Sequence, residues 1–191
     1  DQILAKTVDV VLKEKNIGLV VLMWSEWQRM GFQCFPDWNR WLRITPHKPY
    51  HMVDQEKFFK EKQNTFHASR NTMRTFIHAE KNLSDIPYMF LQGTQAIYWM
   101  GHQKYHTLSA IDEILTSPYF DYIESNISDK FIGWPLMSEI GGYCIDDFLN
   151  KKDPTQLKYR ISKTDPHPNA AGHKIIAELL YEQYKEIYNE H

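Results

Sequence analysis

Thr164-Asp165-Pro166-His167-Pro168-Asn169-Ala170-Ala171-Gly172-His173 sets a carboxylate and an imidazole two residues apart, among prolines and just ahead of a helix. Pro166 and Pro168 fix their own φ and bias Asp165 and His167 away from helical backbone, so the segment is a stiff loop presenting polar chemistry. Beyond it Ile175, Ile176, Leu179, Leu180, Tyr184, Ile187 and Tyr188 recur at helical spacing, with Lys174, Glu178, Glu182, Gln183, Lys185 and Glu186 between them. Asn169 stands where an N-cap belongs. The spacing therefore predicts a helix that lays one face on a core. An isolated Asp-x-His is ordinarily a capping turn, its carboxylate accepting backbone N–H groups.

The chain upstream alternates helix and strand. Asp1 to Lys15 carries Ile3, Leu4, Val8, Val11 and Leu12 on one helical side, and Asn16 and Gly18 supply a stop and a turn. Gly18 to Trp24 is a continuous apolar run with β-branched content, the mark of a strand buried on both faces of a parallel sheet. Met30 to His51 is rich in aromatics and prolines without a period, and is expected to be a covering or functional loop. Asp54 to Asn82 is helical by spacing, Ser84-Asp85-Ile86-Pro87 breaks it, and Tyr88 to Gly93 reads as a second buried strand. His106-Thr107 to Thr116 reads as a short helix ended by Pro118, and Tyr119 to Asp129 reads as loop or irregular strand. Phe131 to Leu136 is expected to be a short strand stopped by Pro135. Gly141-Gly142 suits a positive-φ turn, Tyr143 to Leu149 a helical turn or two, and Lys151 to Lys163 a charged, turn-like connection. This order supports a three-layer α/β fold with a mainly parallel sheet in one domain over residues 1–191.

Composition narrows the function classes. The chain is 42% hydrophobic and 14% aromatic, with a formal net charge of −2. It has no polybasic run or basic stripe, so nucleic acid is not an expected partner. Its longest apolar run, Ile17 to Trp24, is the length of a strand and not of a membrane span. Cys34 and Cys144 neither require nor exclude a bridge, and they decide no compartment.

The string from Asp165 to His173 resembles the last signature block of the SGNH (GDSL-type) hydrolases, in which Asp, His, Pro and a small or polar residue precede the C-terminal helix. The resemblance implies a flavodoxin-like fold, no cofactor and no metal, with His167 as general base and Asp165 as the acid that orients it. The commoner spacing in that family puts two residues between the acid and the base, whereas here only Pro166 intervenes. The implied activity is acyl transfer from a small-molecule or glycan ester, such as an O-acetyl group, through a serine. The family's Gly-Asp-Ser-like nucleophile block is absent, and there is no Gly-x-Ser-x-Gly elbow. The resemblance thus implies that the first strand and its serine lie upstream of Asp1, lie on another chain, or are missing. The Gly-x-Asn-Asp block that would supply an oxyanion donor is absent too. Trp24-Ser25-Glu26-Trp27-Gln28-Arg29 stands where it belongs, which makes Ser25 and Arg29 the candidates for oxyanion or substrate binding.

Two other readings follow from the same residues. A catalytically inactive relative, kept as a binding or structural module in a larger assembly such as a virus particle, would use the aromatic loop from Met30 to Tyr50 as an interface with a protein partner. His102 and His106, at helical i, i+4 spacing, would with His167 or His173 make a zinc site, although no nearby Glu or Cys completes the set.

Overall fold

The computed structural model describes residues 2–25, 27, 30–33, 41–44, 65–96, 111–112 and 114–188. In chain order the elements are α1 (Gln2–Lys13), β1 (Val20–Trp24), β2 (Met30–Gln33), β3 (Trp41–Ile44), α2 (Thr65–Asn82), β4 (Tyr88–Gln92), α3 (Pro118–Asn126), β5 (Phe131–Ile132), α4 (Ile145–Lys152) and α5 (Ala170–Tyr188). The protein is mixed α/β. Its chain divides into two compact units, Asp1–Val20 with Ser25–Tyr88 and Ile97–Ile127, and Val21–Trp24 with Met89–Ala96 and Ser128–His191.

In the first unit, Met73, Phe76 and Ala79 of α2 and Leu83 just beyond it are fully buried, at the spacing of one helical face. Trp27 packs edge-on against Phe76 with ring centroids 6.0 Å apart. α3 lies beside α2, joined by hydrogen bonds from Arg74 Nε to the Tyr119 hydroxyl (2.8 Å) and from the Tyr122 hydroxyl to Glu80 (3.3 Å). α1 buries Thr7, whose hydroxyl donates to the carbonyl of Ile3. Leu12, expected on the apolar side, is 80% exposed because it sits at the margin of that stripe.

The sheet of the second unit has the order β1-β4-β5. β4 and β5 are parallel, with Phe90 opposite Phe131 and Leu91 opposite Ile132. Val20 N bonds the Pro87 carbonyl and Gly93 N bonds that of Trp24, so β1 and β4 also advance together. All five residues of β4 are buried, as a central strand requires. Alternation then splits the faces. Met89, Leu91 and Ile132 meet Ile145 and Leu149 of α4 and Ile176 of α5. Trp24, Phe90 and Phe131 stack edge to face on the other side, with successive centroids 5.6 and 5.5 Å apart.

Four expectations need correction. Among the described residues β1 lies at the edge of its sheet, and its burial alternates: Leu22 and Trp24 are buried whereas Val21 and Met23 are 41% and 50% exposed, so the strand is not buried on both faces. The stretch read as a loop from Met30 contains an antiparallel pair, Met30 opposite Ile44 through Gln33 opposite Trp41, which the aromatics and prolines around it hide from any period-2 reading. Tyr119 to Asp129 is mostly helix. Pro118 does not only end what precedes it; it occupies the first turn of α3, with Ser117 as N-cap accepting from Tyr119 N. β5 stops at Ile132, before the turn at Gly133, rather than at Pro135. Gly141, with φ of 88°, adopts the left-handed conformation expected of that turn.

Candidate functional site

The segment 159–169 doubles back on itself as a short antiparallel ribbon. Arg160 bridges Pro168, Ile161 N donates to the His167 carbonyl (2.9 Å), and Asn169 N donates to that of Tyr159 (3.0 Å). Ser162 pins its tip, accepting on Oγ from the backbone N–H of Thr164 (3.2 Å) and of Asp165 (2.9 Å). The far end of the ribbon is fused to α5. Asn169 caps that helix, its Oδ1 accepting from Gly172 N at 3.0 Å, while its amide donates back to the carbonyls of Lys158 and Arg160. Gly172 makes this junction possible, since a Cβ there would stand 2.2 Å from the Tyr159 carbonyl oxygen.

Within the ribbon, Asp165 Oδ1 accepts from the backbone N–H of His167 at 3.1 Å and lies 2.6 Å from His167 Nδ1. The capping turn and the acid–imidazole pair are therefore one structure. The backbone bond closes an Asx turn around Pro166, and that turn brings the carboxylate to the ring although a single residue separates them. The hydrogen bonds from His167, first the ring and then the backbone, hold the Asp165 carboxyl below the usual carboxylate range. An ionised carboxylate only accepts, so Nδ1 is the ring nitrogen that donates to Asp165. The His167 ring is 81% exposed and the Asp165 side chain 45%. His167's hydrogen bonds among the described residues stay within its own loop, to Asp165 and Ile161.

A buried arginine fixes this loop to the sheet. Arg160, 4% exposed, donates from Nη1 to Asp146 Oδ1 (2.9 Å) and to the carbonyl of Pro166, the residue between acid and base. Its Nη2 reaches Asn150 Oδ1 (2.8 Å) and the Asp146 carbonyl (3.3 Å). Asp146 in turn donates its backbone N–H to the carbonyl of Gly93, at the carboxyl end of the central strand β4 (3.2 Å). In open α/β sheets that end is where ligands bind. Nothing in the charged stretch from Lys151 to Lys163 sets Arg160 apart by sequence; only its short-range pairing with the doubled-back ribbon reveals it.

Other candidates fall as follows. Ser25 is half-buried and directly follows β1, at that strand's carboxyl end. Arg29, His102 and His106 lie outside the described residues, as do Cys34 and most of Met30 to His51. Among the described residues no group of three or more His, Cys, Asp or Glu is placed to hold a metal ion, and no helix is long and apolar enough to cross a membrane. Cys144 is no nucleophile. It is buried at the start of α4 with Sγ 3.1 Å from Asp147 Oδ2, and burial first, then that carboxylate, pushes its thiol up to about 12. His173 is exposed in the first turn of α5, whose cap is Asn169.

Comparisons of the chain with protein-family models, with curated proteins and with solved structures returned no match.

Proposed function

We propose that the loop 160–169 is the acid–base half of an SGNH-type ester hydrolase site on a flavodoxin-like fold. The observation that carries this reading is the 2.6 Å contact between Asp165 Oδ1 and His167 Nδ1, which turns the other ring nitrogen, Nε2, away from that carboxylate on a side chain that is 81% exposed. The serine is supplied from outside the described residues. Its hydroxyl loses a proton to His167 Nε2 as Oγ bonds the ester carbonyl carbon. The imidazolium, stabilised by Asp165, then gives that proton to the departing alcohol oxygen as the carbon–oxygen bond breaks, and water repeats the sequence to release the acid. Ser25 and Arg29 are the candidates for binding the oxyanion or the substrate, which is an ester such as an O-acetyl group.

A second reading has a specific observation in its favour. His167's hydrogen bonds among the described residues are all to its own loop, and its ring is 81% exposed, as in an inactive relative kept as a binding or structural module with a protein partner. Turnover separates the two. The protein as isolated from its source should release acetate from acetyl esters, and His167→Ala should lower the rate by several powers of ten, as loss of a base does in serine hydrolases. A rate that does not depend on His167, or no release at all, rules the hydrolase out and leaves the module.

A further inference from the structure

We propose that Ile161 is the apolar wall beside His167 and selects esters of apolar alcohols, alkyl or aryl, over esters of sugar hydroxyls. The inference rests on the hydrolase reading above and narrows its substrate class.

Arg160 and Pro168 form an antiparallel bridge, so Ile161 and His167 are also directly opposite, and the bond from Ile161 N to the His167 carbonyl confirms that pairing. Side chains of directly opposite residues stand on the same side of a ribbon, with Cβ atoms roughly 4.5–5.5 Å apart. Alternation puts the Arg160 side chain on the other side, and it is indeed buried there at 4% exposure. Ile161, 60% exposed, and His167, 81% exposed, therefore share the outer face. A single exposed isoleucine ordinarily means nothing. This one is held by a backbone hydrogen bond next to the imidazole that returns the proton, and the group receiving that proton is the alcohol oxygen. The first carbons of the departing alcohol would then lie against Ile161. An alkyl or aryl group gains by covering it, whereas sugar hydroxyls would lose water to a surface that offers them no partner.

The test uses the full chain with its isoleucine methyl groups labelled for NMR, titrated with benzyl alcohol and with methyl glucoside. Benzyl alcohol should move the Ile161 methyl and the His167 ring carbon–proton signals together, with one midpoint, and methyl glucoside should leave both in place. Ile161→Ser, at an exposed position, should keep the remaining spectrum and weaken benzyl alcohol binding about tenfold. Equal or stronger shifts with methyl glucoside, no shift with benzyl alcohol, or an unchanged midpoint in Ile161→Ser would each overturn the assignment. The acetyl ester assay tells the two ideas apart. His167-dependent turnover without a preference for apolar alcohols removes only the Ile161 assignment. Benzyl alcohol binding without turnover removes the hydrolase reading, and with it the alcohol's role as leaving group.

Discussion

Replacing Arg160 by methionine should both destabilise the protein and loosen the Asp165–His167 pair. The guanidinium is 4% exposed and makes hydrogen bonds to Asp146, Asn150 and the carbonyl of Pro166. Removing one member of a buried ion pair costs roughly 3–5 kcal/mol, mostly because its partner is left without compensation. Asp146 is 32% exposed and regains some water, which puts the loss at the lower end, about 3 kcal/mol. With a urea slope of about 2 kcal/mol per M, the unfolding midpoint should fall by about 1.5 M. Asp146→Asn added to Arg160→Met should recover part of this, since the stranded carboxylate is then gone. The same variant has a local readout in the ring nitrogens of His167, followed through its non-exchanging ring protons. In the parent protein Nδ1 is the protonated nitrogen of the neutral ring, and without the clamp on Pro166 the two tautomers should mix. A midpoint within 0.5 M of the parent, about 1 kcal/mol on the same slope, together with an unchanged tautomer, would refute the claim that Arg160 holds the loop.

Gly172→Ala should cost about 1–3 kcal/mol in the same denaturation assay, because its Cβ would meet the Tyr159 carbonyl oxygen at 2.2 Å and α5 must back away from the ribbon. Asn169→Ala removes the cap of α5 and should cost about 1 kcal/mol, with the loss showing as faster amide exchange in the first turn of that helix. Asp165 and Asp153 both have carboxyls held below the usual range, Asp165 by His167 and Asp153 by the Thr155 hydroxyl and the backbone N–H of Lys158. Their stabilising effect is complete above the ordinary aspartate pKa and is lost as pH falls through the depressed values. The stability gap between the parent and Asp165→Asn should therefore close in acid and stay open at neutral pH. With its thiol raised to about 12, Cys144 should resist iodoacetamide at pH 8 and react once urea unfolds the chain.

The parts of the fold legible in the sequence were those with a strong period or a strong cap. α5 announced itself through its apolar stripe and Asn169, and β4 through the apolar run between Pro87 and Gly93, because burial on one face or on both leaves that mark. β2 and β3 left none, since aromatics and prolines crowd the stretch from Met30. Pro118 is ambiguous in sequence because the same residue that cannot continue one helix is favoured in the first turn of the next. The candidate site is half legible. Asp165 and His167 lie close enough in sequence for their pairing to be expected, and the structure adds that an Asx turn is what closes the short spacing. Arg160 was hidden because its partners, Asp146, Asn150 and Pro166, are gathered by the doubled-back ribbon and by α4 rather than by any spacing.

The central claim is that His167 activates a serine, and a fluorophosphonate tests it most directly by bonding to a serine only where a base has made it nucleophilic. Treated with such a probe and mapped by peptide mass, the protein as isolated from its source should carry the label on one serine. His167→Ala should abolish the label and Asp165→Asn should slow its appearance. Labelling that persists in His167→Ala, or a protein in which no serine takes the probe while its fold is intact, would contradict the assignment of the Asp165–His167 loop as the acid–base half of a hydrolase.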